Sequence, residues 1–194
     1  MITTTINIKG LVFVVADANP YFSRIVVGLL RSFGASNVIE VRNSFDAIQI
    51  LNSQKVDILL CDDNLPPHGG LQVTHAIRRK RDNENRTIPI LIMASTTRES
   101  LIKIARDAGA NMVMAKPVSA SSLYDRLTWI AFNPRQYIDT PTFFGPDRRF
   151  KNEPIPGGVG RRKTDKPQGF EASEPAEVPS DIGDLVKPAL MGQG

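Results

Sequence analysis

The sequence predicts a doubly wound α/β domain: a five-stranded parallel sheet with helices on both faces. Two observations carry that expectation. Five short apolar runs recur, and the first, third and fourth are nearly continuous rather than alternating. Strands that are apolar on both sides are covered on both faces, as in a parallel sheet between helices. Amphipathic stretches of helical period separate the runs, so strand and helix alternate five times.

The first run is "LVFVV" (Leu11–Val15). Phe22, Ile25, Val26, Leu29, Leu30 and Phe33 follow at steps of three and four, with Gly34 as a C-terminal stop. The second run, "VIEV" (Val38–Val41), contains Glu40 and is polar enough for a sheet edge. Ser44 is placed to cap a helix carrying Phe45, Ile48 and Leu51. "DILLC" (Asp57–Cys61) is the third strand, and a helix from about Gly70 through Val73 and Ile77 runs into "RRKRDNEN". "IPILIMA" (Ile88–Ala94) is the fourth strand. Thr96 and Glu99 then have capping-box spacing for a helix through Leu101, Ile102 and Ala105 that stops at Gly109. "MVMA" (Met112–Ala115) closes the sheet, and Leu123, Leu127 and Ile130 mark a last helix ended by Asn133 and Pro134.

After Pro134 the composition changes to Pro, Gly and charge, too poor in apolar surface to offset its ordering entropy. Residues 1–133 are therefore expected to form the domain and 134–194 a mostly disordered extension. Phe143 and Phe144 are the residues there with a reason to dock. The formal charge of +4 resides in the domain, which holds 15 basic and 11 acidic residues. The extension is neutral but sorts its charges, basic residues such as Arg148 and Arg149 first and acidic ones later, a pattern that suits charged partners or a solvated linker. No apolar run is long enough to cross a bilayer, and "MITTTINIKG" lacks the features of a secretion signal. A cytoplasmic protein is expected. Cys61 is the lone cysteine, so no internal disulfide forms, and as a residue inside a strand it reads as inert packing. His68 and His75 lack companions at zinc-ligand spacing.

Three polar residues end strands on the side where loops gather in such sheets: Asp17 after the first, Asp62 after the third and Lys116 after the fifth. Two carboxylates and an ammonium that converge there would perturb one another and suit a divalent cation or a phosphoryl group. Acids also end strands simply because strands end at water.

With "VVADANP", "CDDNLPPHGG", "DAGA" and "AKPV" in place, residues 8 to 132 resemble the receiver domain of two-component response regulators, the chemotaxis-regulator-like fold. The "FFGPDRR" segment also resembles the tail of receiver-only regulators, with no separate output domain. The resemblance implies a flavodoxin-like strand order 2-1-3-4-5. It implies that Asp62 is the phosphoacceptor, attacking the phosphohistidine of a sensor histidine kinase or phosphotransfer protein, and that Lys116 pairs with the phosphoryl group. Mg2+ would be held by Asp62, by Asp17 through water and by the backbone carbonyl of Asn64. Gly70 would permit the turn into the third helix, and Pro117 would fix the lysine loop. Such a protein is a phosphoacceptor rather than an enzyme, and it acts on a downstream target protein.

Three positions depart from the family. Ala18 replaces a metal-ligating acid, which weakens the magnesium site. Asp63 is no substitute, since adjacent residues leaving a strand point to opposite sides. Ala94 stands where the family has a hydroxyl and Val113 where it has a switching aromatic, so both moving parts of the ordinary readout are missing. Two rival readings therefore stay open: a phosphorylation-independent interaction scaffold, and an effector that takes cyclic di-GMP on its arginines. The candidate contacts for a ligand or partner are Arg78, Arg79, Arg98, Arg106, Arg148 and Arg149, since guanidinium groups recognise phosphates bidentately. Double-stranded DNA is not expected as a partner, because the tail is neutral and shows no recognition helix.

Overall fold

Successive residues of a strand face opposite ways, and the apolar runs sort themselves accordingly. The computed structural model describes residues 6–147. Five of its strands are β1 (Val12–Ala16), β2 (Asn37–Val41), β3 (Ile58–Asp62), β4 (Ile90–Ala94) and β5 (Met112–Ala115). They make one sheet in the order β2-β1-β3-β4-β5, with every neighbouring pair parallel. The helices are α1 (Pro20–Ser32), α2 (Ser44–Ser53), α3 (Gly70–Arg79), α4 (Glu99–Ala108) and α5 (Ala120–Phe132). Phe13, Val15, Leu60, Leu91, Met93 and Met114 bury against Val26, Leu30, Leu123 and Leu127 of α1 and α5. Their neighbours Val14, Ala16, Leu59, Cys61, Ile90 and Ile92 bury against Leu51, Val73, Ile77 and Ala105 of α2, α3 and α4. Each central strand thus serves two cores, which is why its sequence reads as continuous. The run with Glu40 lies at an edge, as expected.

Two helix starts differ from expectation. α2 is capped by Asn43, whose side chain accepts from the Asp46 N–H at 2.8 Å, while Ser44 is the first helical residue and is buried. The cap of α4 is Arg98, with no side-chain hydrogen bond, so the Thr96–Glu99 spacing makes no capping box. Capping is decided by which of several adjacent polar residues takes extended backbone, and spacing alone does not rank them.

The boundary after Asn133 also moves. Strands β6 (Tyr137–Asp139) and β7 (Phe144–Pro146) form an antiparallel hairpin. Tyr137 stacks on Phe144 at 5.6 Å between ring centroids, and the Arg86 guanidinium lies 3.3 Å over the Phe144 ring. Arg86 also pairs with Asp139 at 3.0 Å. Gly145 seats against the end of α4: a Cβ there would lie 2.9 Å from the Gly109 Cα. The expectation of disorder therefore fails for residues 137–146: Phe144 docks, as expected of it, and Tyr137, Arg86 and Gly145 supply further contacts that composition alone does not reveal. Residues 148–194, with Arg148, Arg149 and the rest of the expected extension, lie outside the described residues. Among the described residues, no helix is long and apolar enough to cross a membrane.

Candidate functional site

The alternation that sorts the core also places the polar strand ends. Asp17 continues the face of Phe13 and Val15, Asp62 that of Leu60, and Lys116 that of Met114, so all three leave the sheet on the α1 and α5 side. They meet there. Lys116 Nζ donates to Asp17 Oδ2 and to Asp62 Oδ1, both at 2.6 Å. The site lies at the carboxyl ends of the strands and is largely closed, with Asp17 1% and Asp62 9% exposed. A groove of about 450 Å³ exists elsewhere, lined by Ile8, Leu11, Asp57 and Leu127 at the opposite end of β1 and β3, and it contains none of these groups.

Each member is held. The Asp17 N–H donates to the Val41 carbonyl at 3.1 Å, and its Oδ1 accepts from the Asn19 N–H at 2.8 Å. Asn19 caps α1 with its own side chain, so the strand end and the helix start share one turn. The Phe22 ring lies 4.3 Å from Lys116 Nζ and adds a cation–π contact. Burial works against the charge on Lys116, but the hydrogen bonds and charges of Asp17 and Asp62 outweigh it, and its pKa lies above the ordinary lysine value. Phe22 was legible only as part of an apolar helical stripe, and nothing in that stripe separated it from core.

Gly70 is required by closeness. A Cβ there would overlap the Asp62 carbonyl oxygen and come within 2.9 Å of Cys61 Sγ. Gly70→Ala is expected to displace the backbone of Asp62 and cost about 1–3 kcal/mol of stability, read as a lower urea midpoint at unchanged slope. Cys61 is fully buried and its thiol is pushed up, by burial first and then by the Asp62 and Asp17 charges, which makes it inert packing.

Asp63 lies just past the end of β3. The strand ends at Asp62, the chain turns, and the two carboxylates remain coupled. Burial, then the charge of Asp62 and a side-chain hydrogen bond to it, raise the Asp63 pKa above its ordinary value. A raised acid favours folding most when protonated, so that contribution is lost as pH rises from the ordinary aspartate range through the raised value. Asp63→Asn is therefore expected to stabilise the protein at neutral pH, with the gain shrinking as pH falls through that window. Denaturation midpoints measured against pH check it.

For magnesium, the donors present are the Asp17 and Asp62 carboxylates and the backbone carbonyl of Asn64 in the exposed loop after β3. Ala18 offers no oxygen, and Lys116 already engages one oxygen of each carboxylate. Among the described residues, no three acidic, histidine or cysteine side chains cluster as a metal cage. The set suits a weakly held ion completed by water. Ala94 is fully buried in β4, and Val113 packs against the α2–α4 core from β5.

The arginines do not behave as one set. Arg78 is buried: Nε donates to the Gly109 carbonyl at 2.9 Å, Nη1 to Arg86 O at 2.6 Å, and Nη2 to Ile88 O at 2.7 Å and Asn111 Oδ1 at 3.1 Å. Its donors are committed to its own fold, so it is removed from the candidate ligand contacts. Arg79, Arg98 and Arg106 are exposed, at the end of α3, before α4 and in the last turn of α4. Arg106 lies 3.7 Å from Asp107.

Comparison with known proteins covers the same part of the chain. The family model described as "Response regulator receiver domain" matches residues 12–128. The chain is 32% identical over 120 residues to chemotaxis protein CheY-3 of Vibrio cholerae, covering 61% of this chain and 90% of that protein. It is 30% identical over 104 residues to chemotaxis protein CheY of Pseudomonas aeruginosa, covering 54% and 82%. Among solved structures, the receiver domain of a Pseudomonas aeruginosa sensor histidine kinase, with magnesium coordinated in its active-site cleft, is similar at 26% identity and a TM-score of 0.55, covering 62% of this chain and 95% of that one. A response regulator structure from Chloroflexus aurantiacus shares the fold at 24% identity and a TM-score of 0.59, covering 63% and 98%.

Proposed function

The chain belongs to the response regulator receiver family, and from that premise we propose that it accepts a phosphoryl group on Asp62 and acts by contact with a downstream protein. The donor is the phosphohistidine of a sensor kinase or phosphotransfer protein. The supporting observation is the Lys116 bridge, which holds one oxygen of Asp62 at 2.6 Å and leaves the other as nucleophile. That oxygen attacks phosphorus, the O–P bond forms as the P–N bond breaks, and the electron pair leaves with the imidazole. Lys116 then turns from the carboxylate to the phosphoryl oxygens, while Asp17 keeps it in the site. Magnesium, when bound, neutralises the phosphoryl oxygens. Asp17, Asp62 and the Asn64 carbonyl would hold it, with water in the remaining positions. The chain is in this reading a phosphoacceptor and not an enzyme.

Ala94 and Val113 favour a second reading, an interaction scaffold that works without phosphorylation, because neither side chain supplies a hydroxyl or a ring to move. One experiment separates the two. Incubation with acetyl phosphate and Mg2+ is expected to give a single phosphoryl adduct by intact mass, absent in Asp62→Asn. No adduct, even from a cognate kinase, would favour the scaffold.

A further inference from the structure

Glu40 is the one charged residue of β2, and its edge position explains only why it is tolerated. Its oxygen Oε2 accepts from Ser23 Oγ of α1 at 2.6 Å and from Arg42 Nη2 at 2.9 Å. The other arm of the same guanidinium, Nη1, donates to the backbone carbonyl of Asp17 at 3.2 Å. Ser23 is fully buried, so this chain of bonds is anchored inside the domain and ends at the site. Asp17 is consequently held at every polar atom: N–H by Val41, carbonyl by Arg42, Oδ1 by Asn19 and Oδ2 by Lys116. Ala18, next in the chain, has no polar side chain to fix the turn.

We infer that Arg42 is a positioning residue of the phosphoacceptor site, a role that rests on the proposed function of Asp62. The pair it forms with Glu40 is partly exposed, with side chains 40% and 31% accessible, and such pairs contribute little to stability. Its effect is geometric. The planar guanidinium is oriented by Glu40 through one nitrogen and delivers the other to Asp17, which a lysine ammonium with a single centre does not reproduce. With the β1–α1 turn so fixed, Asp17 holds Lys116 against Asp62.

The test compares wild type, Arg42→Ala, Arg42→Lys and Glu40→Gln in the full chain with two readouts. Amide hydrogen exchange of Asn19, whose N–H donates to Asp17 Oδ1, is expected to accelerate on the order of tenfold in Arg42→Ala at an unchanged urea midpoint. Phosphorylation by acetyl phosphate is expected to slow on the order of tenfold in the same variant, as small misplacements of reacting groups do. Arg42→Lys restores neither, and Glu40→Gln gives an intermediate loss in both. Unchanged Asn19 exchange in Arg42→Ala overturns the assignment, as does an unchanged rate in a protein whose wild type is phosphorylated. A wild type that takes no phosphoryl group instead overturns the reading of Asp62, and the Asn19 exchange still decides whether Arg42 holds the turn.

Discussion

Replacing Ala18 by Asp is expected to tighten Mg2+ binding about tenfold or more. Position 18 directly follows Asp17, and Ala18 is exposed, so a larger side chain enters without disturbing the core. It brings an anionic oxygen to a donor set that otherwise consists of two carboxylates shared with Lys116 and one backbone carbonyl. For a small divalent cation that dehydrates reluctantly, the number of charged oxygens sets much of the affinity. The same substitution places another negative charge beside Asp17 and Asp62, so without metal the variant should be less stable than the natural chain. Mg2+ should reverse that loss. At ten times its dissociation constant a ligand stabilises the folded state by ~1.4 kcal/mol. Calorimetric titration reads the affinity, and denaturation midpoints in chelator and in Mg2+ read the stability crossover. Equal affinities would show that the missing acid does not limit this site, and the account of Ala18 as the cause of weak binding would fall.

The three groups that meet at Lys116 were legible because each ends a strand, and strands buried on both faces announce themselves as continuous apolar runs. Alternation then determines the face on which Asp17, Asp62 and Lys116 emerge. Asp63 lies past the strand end, where that rule does not apply, and its coupling to Asp62 was not legible. The caps at Asn43 and Arg98 were hidden for a different reason: neighbouring polar residues offer similar chemistry, and backbone geometry chooses among them. Arg42 gave no signal and Glu40 signalled only a sheet edge, since their bonds cross from β2 to α1 and to the end of β1. The hairpin of residues 137–146 depends on docking against Arg78, Arg86 and Gly109, which lie far away in sequence. What the chain encodes locally could be read; what arises where distant segments converge could not.

Arg78 is the extreme case of such convergence, and its removal carries the largest expected effect on stability. In the sequence it is one of four consecutive basic residues at a helix end, a run that reads as solvated. In the fold it is 1% exposed, with no carboxylate partner among the described residues, and its charge is met by carbonyl oxygens from the segment before β4, the end of α4 and the short helix at Glu84–Thr87. Burial lowers its pKa to about 10, which leaves it cationic at neutral pH. Tyr137 of the hairpin closes the site: its ring lies 5.1 Å from the guanidinium, and its hydroxyl donates to the Ile88 carbonyl at 3.1 Å. Arg78→Met keeps much of the apolar stem but leaves the Gly109 and Arg86 carbonyls without a donor, and the Ile88 carbonyl with Tyr137 alone. Each buried group left unsatisfied costs about 1–3 kcal/mol, and with water reaching some of them the expected total is about 3–5 kcal/mol. Arg79→Met, one residue later and exposed, should stay within about 0.5 kcal/mol. Urea denaturation of the two variants beside the natural chain measures the contrast. A loss below about 1 kcal/mol for Arg78→Met would mean that water or a rearranged side chain replaces the guanidinium. The hairpin would then have to be held by Arg86, Phe144 and the Gly109–Gly145 contact alone.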